Sequence, residues 1–83
     1  MLDIIMYGAK WCGACKAMAP MVEAVAQESG CRYLYYDSEE HVAQAIDDHI
    51  YSLPTIILER DGVEVARCGS ISRDGFMQML RSA

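Results

Sequence analysis

Cys12 and Cys15 lie three residues apart, between a short apolar run (Ile4, Ile5, Met6, Tyr7) and a segment whose apolar residues recur with helical spacing. The run reads as a strand and the segment as a helix. A Cys-x-x-Cys pair at a strand-to-helix junction sets one thiol at the helix N-terminus and the other a turn inside it. Unpaired backbone N–H groups and the positive end of the helix dipole stabilise a thiolate there. Residue type and position together point to a reversible dithiol/disulfide centre.

The pattern continues along the chain. Leu2 to Tyr7 is dense in apolar residues, as in a strand buried on both faces. Met18, Met21, Val22 and Val25 predict a helix from Cys12 to about Glu28, with Gly30 as its stop and a kink at Pro20. The two methionines are read as core packing. Tyr33 to Tyr36 reads as a second strand, and Asp37 with Glu40 has the form of a capping box. Val42, Ala45, Ile46 and Ile50 then predict a short helix. Thr55 to Leu58 and Val63 to Ala66 flank Asp61-Gly62, a strong hairpin signal. Ser72 reads as the N-cap of a last helix, with Ile71 and Phe76 placed to form a hydrophobic staple and Met79 and Leu80 extending that face.

The order βαβ followed by αββα implies a parallel pair with a right-handed crossover, then an antiparallel hairpin. The expected architecture is α/β: one mixed four-stranded sheet with helices on both faces, in a single domain spanning residues 1–83. Composition agrees with a small folded unit, at 53% hydrophobic and 23% charged residues. The net charge of −5, with no basic patch, argues against a nucleic-acid partner. The acids between Asp37 and Asp48 read as a solvated helix face. No apolar run approaches the roughly 18 residues that cross a bilayer, so no membrane role is expected. Asp3 interrupts the N-terminus and no basic leader is visible. A cytoplasmic protein is therefore the expectation.

The stretch Trp11-Cys12-Gly13-Ala14-Cys15-Lys16 with Pro20 resembles the Trp-Cys-Gly-Pro-Cys-Lys-x-x-x-Pro motif of the thioredoxin family, with Ala14 replacing the usual proline. Ser52-Leu53-Pro54-Thr55 is similar to the segment carrying that family's cis-proline. Arg60-Asp61-Gly62 through Gly69, then Ser72 onward, resembles its hairpin, glycine and final helix. The resemblance implies a thioredoxin fold in a compact, glutaredoxin-sized form, βαβαββα, without the family's first strand and helix. It also implies a small thiol–disulfide oxidoreductase that reduces protein disulfides.

In this reading Cys12 is the nucleophile and Cys15 the resolving thiol, which attacks the mixed disulfide formed on Cys12. Lys16 is a cation where the helix dipole disfavours one, which marks it as a candidate functional residue. The resemblance implies substrate-facing roles for Trp11, Gly13, Ala14, Leu53, a cis Pro54 and Gly69. Leu53 would offer its backbone to an extended substrate. It further implies no bound cofactor. Electrons would come from NADPH through a thioredoxin-reductase-like donor, or from glutathione. The partners would be disulfide-containing proteins, and the chain a monomer.

One departure bears on mechanism. The family carries a buried acid six residues before the first cysteine, and here that position is Met6; the lysine that pairs with the acid is replaced by Tyr33. Cys15 must therefore pass its proton to water or to another side chain.

Other classes fit less well. A zinc site would need a second closely spaced ligand pair, whereas Cys31 and Cys68 are single and His41 and His49 are eight apart. No metal is expected, and Cys31 and Cys68 are read as free thiols on opposite sheet edges. A glutaredoxin-like, glutathione-dependent reductase is the near alternative, although Cys68-Gly69-Ser70 replaces the Gly-Gly that helps that family hold glutathione. A non-catalytic thioredoxin-like binding subunit is the other, and two intact cysteines weigh against it.

Overall fold

The computed structural model describes residues 1–83. The chain runs β1 (Leu2–Gly8), α1 (Gly13–Ser29), β2 (Arg32–Asp37), α2 (Val42–Asp47), β3 (Thr55–Arg60), β4 (Val63–Cys68) and α3 (Arg73–Ser82). The four strands form one sheet in the order β2-β1-β3-β4. β1 and β2 are parallel, and the other two pairings are antiparallel. This is the expected mixed sheet and the thioredoxin fold.

Alternation along the strands divides the core in two. Ile4, Met6, Ile56 and Leu58 face α1 and α3 and join Val22, Val25 and Phe76 in the larger cluster. Ile5, Tyr7 and Ile57 face the other way, onto Ala45 of α2. Each fully buried large apolar side chain of this kind contributes roughly 1.5–3 kcal/mol. The larger cluster therefore anchors α1 and α3 far more strongly than Ala45, a single small residue, anchors α2.

Turn chemistry sets the ends of the elements. α1 continues through Pro20 and stops at Gly30, whose φ of 69° is left-handed and costs glycine nothing. Asp61 and Gly62 have φ values of 53° and 85°, the positive pair of a type I′ hairpin turn. The Ser72 hydroxyl accepts from the Gly75 N–H at 3.1 Å, and Ile71 and Phe76 meet in the larger core.

Three expectations change around α2. Asp37 does cap, but it caps a turn: its carboxylate accepts from the N–H groups of Glu39 and Glu40, at 2.8 and 3.3 Å, and closes the end of β2. The helix begins only at Val42, behind His41, which makes no side-chain cap. Ile50 lies beyond the helix, while Val42 and Ile46 are exposed, Ile46 by 67%. Lastly, the acidic stretch is not wholly a solvated face. The Asp48 carboxylate accepts a hydrogen bond from the buried Tyr7 hydroxyl. Asp48 and His49 also give their carbonyls to Arg67 of β4, at 2.9 and 3.1 Å.

Candidate functional site

The antiparallel pairing of β1 with β3 gathers the site at one end of the sheet. β1 ends at Gly8 and leads through Ala9 to Cys12, while β3 starts at Thr55, opposite Tyr7. β4 ends at Cys68, opposite Ile56. The cysteine motif, Leu53-Pro54 and Gly69 therefore share one edge of the molecule.

Cys12 and Cys15 are joined by a disulfide, their Cα atoms 5.3 Å apart, a normal span for such a bridge. Cys12 is the N-cap of α1, in extended conformation, and its Sγ accepts from the Cys15 N–H at 3.2 Å. The first turn contains no acid, so nothing competes with a thiolate for the helix dipole. Cys15 is wholly buried, and both cysteines belong to the larger core. Gly13, Ala14 and Lys16 are exposed, and Trp11 is 68% exposed beside the pair, with its ring toward solvent rather than in the core.

The Leu53–Pro54 bond is cis. Thr55 Oγ1 donates to the Ser52 carbonyl at 2.6 Å and closes the turn that holds this segment. Leu53 packs against both cores, including the cluster that contains the two cysteines. Gly69 adjoins this segment: a Cβ built there would lie 3.5 Å from the Pro54 carbonyl.

In the core that also holds the cysteines, Met6 is fully buried with the Tyr33 hydroxyl 3.8 Å from its Sδ. Burial is the main cause that pushes Tyr33 up to about 12, with the charge of Glu23 adding to it. One neighbour of Cys15 was not visible as such in the sequence. The Tyr35 phenol lies over Gly8, and the position a Cβ on Gly8 would occupy is 3.0 Å from Tyr35 Cζ and 3.1 Å from Cys15 Cβ. A glycine ending an apolar strand, one residue from an aromatic pair on the neighbouring strand, is the only sequence trace of this arrangement.

Cys31 and Cys68 are free and half-buried, next to or on the two edge strands. Burial pushes the Cys68 thiol up, which makes it a poor nucleophile at neutral pH. No group of three or more His, Cys, Asp or Glu side chains converges as a metal site would require. No helix is long and apolar enough to cross a membrane.

Known proteins resemble this chain in sequence and in fold. Residues 2–82 match the Thioredoxin family model. The thioredoxin of Mycolicibacterium smegmatis is 37% identical over 68 residues, covering 77% of this chain and 61% of that one. Thioredoxin-2 of Saccharomyces cerevisiae is 36% identical over 82 residues, covering 98% and 79%. The chain thus spans 61% to 79% of the length of these relatives. A mutant thioredoxin from Halobacterium salinarum NRC-1 superimposes with a TM-score of 0.92 at 27% identity, over 98% of this chain and 73% of that one.

Proposed function

The chain belongs to the thioredoxin family, and on that footing we propose that it reduces disulfides in extended protein segments, using electrons from NADPH through a thioredoxin-reductase-like donor. It is a thiol–disulfide oxidoreductase whose redox pair is Cys12 and Cys15. The observation that carries the proposed direction of attack is the position of Cys12 as N-cap, with its sulfur already accepting the Cys15 N–H at 3.2 Å.

In the reduced protein the Cys12 thiolate attacks one sulfur of a substrate disulfide. The substrate S–S bond breaks, a mixed disulfide forms on Cys12, and the second substrate sulfur leaves as a thiolate that takes a proton from solvent. Cys15 then loses its proton and attacks Cys12 Sγ. The Cys12–substrate bond breaks, the first substrate sulfur leaves, and two electrons have passed to the substrate. The Cys12–Cys15 disulfide is the product state.

Around the pair, exposed Trp11, Gly13 and Ala14 offer a substrate-facing rim. Leu53 supplies backbone groups that an extended segment pairs with as an added strand, while Pro54 and Gly69 keep the flank low. Lys16, exposed a turn into α1, adds positive potential near the nucleophile. The free thiols of Cys31 and Cys68 suit a reducing compartment, in line with a cytoplasmic protein.

The test is recycling. With a disulfide substrate present, NADPH and a thioredoxin reductase should sustain turnover, and glutathione with its reductase should not. Turnover with glutathione alone would assign the chain to a glutathione-dependent role. If neither system recycles it and Cys12→Ser leaves biological function intact, the chain is a binding subunit.

A further inference from the structure

Resolution of the mixed disulfide requires a thiolate at Cys15, a residue with no exposure to solvent. A buried thiol resists ionisation unless a donor meets the charge. Met6, which shares the larger core with Cys15, offers none. A polar group that approaches Cys15 lies on β2. Tyr33 and Met6 pack in the same core, on the α1 side of the sheet. Tyr35, two residues along the strand, projects from that same face. Its phenol crosses Gly8, whose missing side chain leaves the space, and the ring end and the Cys15 methylene come within 3.0 and 3.1 Å of one point, with the hydroxyl closer still. The hydroxyls of Tyr7 and Tyr33 have partners within the protein, on Asp48 and Met6, whereas that of Tyr35 has none. Tyr35 is also partly exposed, while Cys15 is wholly buried.

We propose that Tyr35 is a catalytic residue of the resolving step, its hydroxyl donating a hydrogen bond to the Cys15 thiolate. This rests on the reading of Cys15 as the resolving thiol. A phenol ordinarily titrates near 10 and a thiol near 8.5, so the thiol gives up its proton first, while the phenol still keeps its own and can donate it in a hydrogen bond. Burial, with the charge of Asp37, raises Tyr35 further and suits it to donate rather than accept. The Cys15 proton passes to solvent at the exposed rim of the ring. The thiolate lone pair forms the bond to Cys12 Sγ, the Cys12–substrate bond breaks, and the phenol ends the step unchanged. In the disulfide state the sulfur is uncharged and holds no such bond.

Few other groups bear on this titration. β1 presents Met6 and Gly8, neither of them titratable. β2 presents Tyr33, with Asp37 at its end, and α1 contributes Cys12, with Lys16 and Glu23 exposed on its surface. Cys68 of β4 is half-buried against the same core.

The experiment reads Cys15 alone. In the full chain carrying Cys12→Ser, the pH dependence of alkylation at Cys15, resolved by peptide mass spectrometry from Cys31 and Cys68, gives its pKa. The same titration is run with Tyr35→Phe added, which keeps the ring over Gly8 and removes only the hydroxyl. The expected result is a rise of about one unit, a tenfold loss of thiolate at neutral pH. In the otherwise intact chain, Tyr35→Phe should slow resolution of the mixed disulfide about tenfold in parallel. An unchanged or lower pKa overturns the proposal, as does a Cys15 that fails to ionise below about pH 10 in both backgrounds. The titration needs neither a substrate nor an electron donor, so it stands or falls separately from the recycling test.

Discussion

The sulfur of Cys12 accepts the backbone N–H of Cys15 at 3.2 Å, so the proposed nucleophile is also the N-cap of the helix that activates it. The two roles separate on mutation. Cys12→Ser keeps an acceptor at the cap and Cys12→Ala removes it. Both should abolish disulfide reduction. Compared with the reduced wild type by urea denaturation, only Cys12→Ala should lose stability through the cap, by about 1 kcal/mol. Equal losses in the two variants would show that the sulfur does not act as a cap.

Alkaline pH should expose the burial of Tyr33. Its phenol is pushed up to about 12, mainly by desolvation, from an ordinary value near 10. Below about pH 10 folded and unfolded chains both keep the proton, and the stabilisation is intact. Between about 10 and about 12 the unfolded chain has lost it and the folded chain has not, so stability falls as pH rises. The wild type should lose stability more steeply than Tyr33→Phe across that window and no differently below it. Parallel curves through the window would contradict the assignment.

Met6→Asp restores a carboxyl to the core that holds the cysteines. Full burial without a built partner raises that carboxyl and should cost roughly 1–3 kcal/mol. Ionised, it accepts the Cys15 proton, and resolution of the mixed disulfide should speed up. Stopped-flow measurement of that step decides the matter. An unchanged rate means that loss of the Cys15 proton is not what limits resolution.

What was legible in the sequence was local. Asp61-Gly62 and Gly30 announce a backbone conformation that few residues adopt, Ser72 carries a hydroxyl suited to capping, and the turn, the helix stop and the N-cap all fall at those positions. The cysteine motif carried its own context in the strand before it and the helix after it. The region around α2 is ambiguous in the sequence because Asp37 can cap a turn as readily as a helix. A short apolar periodicity also does not say whether a surface exists to bury it, and Ile46 finds none. The contacts joining distant segments were silent. Tyr7 with Asp48, Arg67 with the His49 carbonyl, and Tyr35 over Gly8 toward Cys15 depend on strand register, which local pattern does not encode.

In the proposed cycle Cys12 attacks and Cys15 resolves. Removing the resolving thiol tests it most directly. Cys15→Ser, reduced and mixed with a disulfide-bonded protein, should accumulate a mixed disulfide that peptide mass spectrometry locates at Cys12, while Cys12→Ser accumulates none. Trapping through Cys15 in the Cys12→Ser variant, or no adduct in either, would contradict the account.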